Sequence, residues 1–262
     1  FDLTAARIVT IDTAVSLGTL KIGDSGPTAF AYTLARSGSF TLTMDNGASH
    51  AVIEESATSA GGSISAPLSL NSDLDIYSLA TGKTLEISST IAANNHAISI
   101  GTATATNLGT VRIDASTPFN GTPAITVNSG ILSLNTRTGS VTSLVVNSGA
   151  SATAGSFVIG ASGALTLNGS FSSSFTTGTS VMTLGSGVLI TAGSVASVLN
   201  GDVTYTGGAG ATITGNGTRT IDLNGAVRTF DVADGNDTVD LTIGSTSSST
   251  VNFIDGGINK TG

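Results

Sequence analysis

The chain has 262 residues, no cysteine, no tryptophan and only 10% charged residues, against about 25% in an ordinary soluble domain. Nine Lys and Arg against seventeen Asp and Glu leave a formal net charge of −8, which excludes a basic stripe for nucleic-acid phosphates. An apolar fraction of 39% with 34 glycines excludes a disordered chain, and the lack of cysteine excludes a disulfide framework or a thiolate metal site.

Along the chain, short alternating strands are predicted one after another. Inward pairs at i, i+2 run from Leu20/Ile22, Phe40/Leu42, Leu68/Leu70 and Leu74/Ile76 to Leu85/Ile87 and Ile98/Ile100. They continue with Val111/Ile113, Ile125/Val127, Leu132/Leu134, Leu144/Val146, Phe157/Ile159 and Leu165/Leu167. Met182/Leu184, Val188/Ile190, Val203/Tyr205, Ile221/Leu223, Phe230/Val232 and Val239/Leu241/Ile243 complete the series. Between them lie Asn-Gly and Asn-Ser-Gly turns such as Asn46-Gly47 and Asn147-Ser148-Gly149, where positive φ is tolerated.

Two or three strand steps sum to about 20 residues, the length of one solenoid coil. A sandwich would carry larger aromatic anchors than 5% supplies, and no Pro-rich or charged linker divides the chain. The expectation is an all-β, right-handed parallel β-helix of about a dozen coils, stacked about 4.8 Å apart. It is read as a single solenoid over 1–262, with 1–60 as an N-terminal cap and first coils. No run of about 18 apolar residues exists, so no transmembrane helix is predicted. A start at Phe1 rather than Met reads as a processed chain or a fragment.

The C-terminal third adds a more specific pattern. Gly225-Ala-Val-Arg-Thr-Phe-Asp-Val-Ala-Asp-Gly235 precedes Leu241-Thr242-Ile243, and the chain closes on Asp255-Gly-Gly-Ile-Asn-Lys-Thr-Gly262. This run, over 215–262 and more loosely over 60–100, resembles the lead-in to the autotransporter-associated β-strand repeat, also called the passenger-associated transport repeat. The sequence stops at Gly262, where the strand and turn that define the repeat would follow. The resemblance implies a β-helical passenger at the surface of a Gram-negative bacterium, with the repeat aiding export and folding.

Several residues invite chemistry. Gly23-Asp24-Ser25-Gly26-Pro27 matches a serine-protease nucleophile loop, but the stretch upstream of Ser25 is too short for the preceding His and Asp of that mechanism. It reads as a turn. His50 with Glu54 and Glu55 fits no standard zinc spacing, and both His50 and His96 read as loop residues. Asp73 and Asp75 share one strand face and read either as the carboxylates a carbohydrate-cleaving β-helix would need or as outward-facing solubilising residues. Asp234 and Asp237, near Asp240, are weak calcium candidates in an oxygen-rich turn.

The expected function is therefore a non-catalytic extracellular or cell-surface structural protein that adheres or self-associates through its end coils or sides. Host or surface glycans are candidate partners, and no catalytic residue or cofactor is assigned. The alternative is a carbohydrate-binding or carbohydrate-cleaving β-helix.

Overall fold

The computed structural model describes residues 5–23, 30–102, 108–192, 196–215, 217–244 and 250–262. Among these there is no helix, and the strands form parallel ladders, as in a parallel β-solenoid. Contacts group the chain into two compact units, Phe1–Arg137 and Thr138–Gly262.

In the first unit each coil contributes three strands. The first coil has β1 (Arg7–Ile11), β2 (Val15–Leu17) and β3 (Thr19–Ile22). The second has β4 (Tyr32–Arg36), β5 (Leu42–Met44) and β6 (Ala51–Glu55), and the third β7 (Gly62–Ile64), β8 (Leu68–Leu70) and β9 (Leu74–Ser78). Then come β10 (Thr84–Ile87), β11 (Ile91–Ala92) and β12 (Ile98–Ile100), followed by β13 (Thr110–Ile113), β14 (Phe119–Asn120) and β15 (Ala124–Val127). β16 (Ile131–Ser133) opens a further turn of the ladder.

Register explains why the alternation is so regular. One interior column stacks Leu20, Ile53, Ile76, Ile100 and Val127; another stacks Leu42, Leu68, Ile91 and Phe119. From Ile53 onward the first of these columns is fully buried, as Leu42, Leu68 and Ile91 are in the second. Each aliphatic side chain thus packs on its counterpart one coil away, at the interstrand spacing of about 4.8 Å. Coil length varies while register holds: the partners Tyr32, Gly62, Leu85, Val111 and Leu132 are unevenly spaced along the chain yet stack in one column. The slack is absorbed in the turns, where Gly47 (φ 62) and Asn135 (φ 53) take left-handed backbone.

The second unit is built from β17 (Thr138–Val141), β18 (Ser143–Val146), β19 (Ser151–Ile159), β20 (Leu165–Leu167), β21 (Ser170–Thr176) and β22 (Met182–Leu184). It continues with β23 (Leu189–Ala192), β24 (Ser197–Val198), β25 (Val203–Tyr205), β26 (Ala211–Gly215), β27 (Thr218–Val232), β28 (Leu241–Ile243) and β29 (Thr250–Thr261). Leu144, Leu165, Met182, Val203, Phe230 and Lys260 stack in one column. Its tightest coil runs from Leu165 to Met182, and its coils lengthen toward Phe230 and Lys260.

Long strands here turn corners where the pairing register shifts, between Thr153 and Ser156 in β19 and between Asp222 and Ala226 in β27. β21 reads Ser-Phe-Ser-Ser-Ser-Phe-Thr, and both Phe171 and Phe175 are buried, with Ser173 and Ser174 folded into the corner between them. Phe171 lies 5.8 Å from the Phe157 ring and 6.2 Å from Phe175. Tight corners demand glycine at close approach: a Cβ on Gly163 would lie 1.5 Å from the Thr142 carbonyl oxygen.

Candidate functional site

Among the described residues, chemistry-bearing side chains converge most closely on one face of the first unit. Ala51, Leu74 and Ile98 are register partners in β6, β9 and β12. His50 and Asp73 immediately precede the first two of these strands, and His96 lies two positions before the third. His50 and Asp73 are one coil apart in register, and His96 falls one residue before the Asp73 equivalent in the next coil, so three successive coils bring the three side chains together.

The contacts follow directly. His50 Nδ1 is 2.9 Å from Asp75 Oδ1, and its Nε2 is 3.9 Å from Asp73 Oδ2. His96 Nδ1 is 3.2 Å from Asp73 Oδ1, which also accepts the Ala97 N–H at 2.9 Å. The turn carrying His50 is braced from within its own coil and from the next. Asp45 Oδ1 accepts the Gly47 N–H at 3.0 Å, and the buried Ser72 hydroxyl accepts the Asn46 N–H at 2.8 Å while donating to the Gly47 carbonyl at 3.1 Å. A polar recess of about 180 Å³ results, lined by Gly47, Ala48, Ser49, His50, Ser72, Asp73 and His96.

Electrostatics act on this group in opposite senses. The hydrogen bond to Asp75 holds the His50 imidazole above its ordinary 6.5, assisted by the charges of Asp75 and Asp73 and opposed by partial burial. The Ala97 N–H, then the contacts to His96 and His50, hold the Asp73 carboxyl below its ordinary 3.8 despite some desolvation. The arrangement binds protons and pairs charges. Both ring nitrogens of His50 face carboxylates, and the Ser72 hydroxyl is committed to the turn.

The other sequence candidates fall elsewhere. Glu54 points outward, 3.2 Å from Lys21 Nζ and accepting the Tyr77 hydroxyl, so it is engaged away from His50; burial and that carboxylate raise the Tyr77 phenol above its ordinary value. Glu55 points inward and is fully buried, accepting hydroxyl hydrogens from Ser59 at 2.9 Å and from Ser78. Asp237 accepts the Gly210 N–H of the preceding coil at 2.6 Å, and Asp240 accepts the Gly235 N–H within its own turn at 2.8 Å. Among the described residues no group of three or more His, Cys, Asp or Glu side chains has the arrangement of a metal site. Asp24 and Ser25 lie outside the described residues.

Sequence alone keeps His50, His96 and the Asp73/Asp75 pair apart. The signal that joins them is the repeated interval between positions 50, 73 and 96, which has meaning only once the coil register is known.

No protein-family model, curated protein or solved structure matches this chain. Among the described residues no helix is long and apolar enough to cross a membrane.

Proposed function

We propose that the chain is a non-catalytic structural module of a bacterial cell surface, resembling an autotransporter passenger, that works by adhesion or self-association. The observation that carries this reading is the set of outward columns of small polar side chains held in register. In the first unit Thr43, Ser69 and Asn120 fall in one such column, interrupted by Ala92, and Asp75, Ser99 and Thr126 continue another that begins at Val52. In the second, Thr166, Thr183, Thr204, Asp231 and Thr261 are successive register partners in one outward column. Hydroxyl columns repeat without charge conflict and present hydrogen-bonding groups at a fixed spacing of about 4.8 Å.

A second reading, glycan binding, is favoured by one feature. A groove of about 430 Å³ runs along the first of those columns, lined by Thr41, Thr43, Ser69, Thr90 and Asn120 around Pro67 and Leu68. Sedimentation across a concentration series, electron microscopy and a glycan array on the purified chain separate the readings. Self-association into defined assemblies supports the structural module. A strictly monomeric chain that binds glycans supports the second reading. Turnover of a polysaccharide panel, lost in Asp73→Asn or Asp75→Asn, overturns the non-catalytic assignment.

A further inference from the structure

The chain contains two histidines, and the fold sets both against Asp73, with Asp75 meeting His50 as well. We propose that His50, His96, Asp73 and Asp75 form a proton-operated clasp that fastens three successive coils in mildly acidic surroundings and loosens as the pH rises.

The geometry carries this in two ways. First, the clasp spans coils: His50 belongs to the turn before β6, Asp73 and Asp75 to the start of β9, and His96 to the turn before β12. Opening one coil relative to the next breaks at least one of these contacts. Second, His50 faces Asp75 through Nδ1 and Asp73 through Nε2. A neutral imidazole has one N–H, so only the imidazolium both donates to Asp75 and presents an N–H and a positive charge toward Asp73 3.9 Å away.

The charged groups around His50 favour that form. Beside β9 stand Asp73 and Asp75, with Tyr77 further along accompanied by Glu54 of β6. Asp45 lies at the start of the same turn, His96 enters from the following coil, and Lys21 of β3 is turned to Glu54. Four carboxylates thus share the neighbourhood with one lysine and two imidazoles.

The working window follows from the shifts of its two best-placed members. The contribution of His50, raised in the fold, is fully present below 6.5 and is lost as the pH climbs through its higher folded value. That of Asp73, lowered in the fold, is present above 3.8 and is lost as the pH falls through its lower folded value. The clasp is therefore fastened between about 3.8 and 6.5 and released on either side. With the His50 and Asp73 side chains 51% and 42% exposed, solvent screening keeps the effect to about a two- to five-fold change in local opening.

Two experiments on the whole chain test it. Proton NMR gives two histidine C2–H signals, assigned with His50→Gln and His96→Gln; the His50 midpoint is expected above 6.5 and is expected to fall in Asp75→Asn. Hydrogen exchange is then followed at Ala51 N–H, which donates to the Asp73 carbonyl, and at Ala97 N–H, which donates to the Asp73 carboxylate. After correction for intrinsic rates, both should open about two- to five-fold less often at pH 5.5 than at pH 8.5. In the His50→Gln/His96→Gln double variant that ratio should fall to one. A ratio unchanged in the double variant, or a His50 midpoint at or below 6.5, overturns the proposal.

Discussion

Phe171 offers the sharpest test of the inward and outward assignment in the second unit. Its side chain is 1% exposed, stacks in a column with Ala152, Ile190 and Ile213, and touches two other rings. Phe171→Ala removes the ring from a site whose walls are strands paired on both sides, so the cavity cannot collapse readily. The expected cost is about 3–5 kcal/mol, the range for a buried Phe truncated to Ala. Of this, about 0.5–1.5 kcal/mol per ring pair reflects the lost contacts with Phe157 and Phe175. Phe171→Leu, which keeps most of the volume, should cost about 1–2 kcal/mol. Thr166, which points outward between Val145 and Thr183, is the control, and Thr166→Ala should stay within about 0.5 kcal/mol. Urea unfolding followed by far-UV circular dichroism measures all three, since the chain has no tryptophan for fluorescence. A Phe171→Ala cost under about 1 kcal/mol, or a Thr166→Ala cost that matches it, would refute the assigned faces.

Other outcomes follow from single contacts. Gly163→Ala forces a Cβ toward the Thr142 carbonyl and should cost about 3 kcal/mol, whereas Gly47→Ala meets open space and should cost only about 1 kcal/mol for its left-handed backbone. Thermal melts of the two variants at one pH check that order. Tyr205 is fully buried and donates its hydroxyl to the Ala209 carbonyl at 2.8 Å, so Tyr205→Phe should lose about 0.5–1.5 kcal/mol in the same urea assay. Glu55→Ala removes the acceptor shared by the Ser59 and Ser78 hydroxyls at a fully buried position and should cost about 2–3 kcal/mol. Restoring packing with Glu55→Leu plus Ser59→Ala should recover part of that loss.

Much of the architecture is legible in local alternation, because an inward ladder needs the same two positions on every coil. Leu144/Val146, Leu165/Leu167, Met182/Leu184 and Val203/Tyr205 read as pairs, and the structure stacks them as one ladder. Elsewhere the corner, not the strand, decides. Alternation groups Phe40 with Leu42, yet Phe40 is 38% exposed and the strand begins at Leu42; it groups Val239 with Leu241, yet Val239 is 57% exposed. The Ser-rich β21 shows no sustained period-2 signal because its backbone turns between Phe171 and Phe175, bringing both rings to the same interior.

The histidine–aspartate cluster is illegible for a related reason. An average coil of about 20 residues cannot align positions when real coils range from the short Leu165-to-Met182 step to the long Phe230-to-Lys260 step. Only the local coil length around β6, β9 and β12 brings His50, Asp73 and His96 together. Glu55 escapes differently: a carboxylate beside Glu54 reads as one more surface charge, and its burial depends on Ser59 and Ser78 supplying donors from outside its strand.

The parallel, coil-on-coil register is the claim on which the rest depends, and engineered cysteines test it cleanly in a chain that has none. Ser99 and Thr126 are outward register partners on β12 and β15, so their Cα atoms should lie about 5 Å apart, within the span a disulfide bridges. Ser99→Cys/Thr126→Cys should therefore oxidise to an intramolecular disulfide in the folded state. Ser99→Cys/Arg112→Cys joins consecutive strands that a meander would pair, and that double variant should remain reduced. The reverse pattern, with the Arg112 pair closing and the Thr126 pair open, would contradict the solenoid.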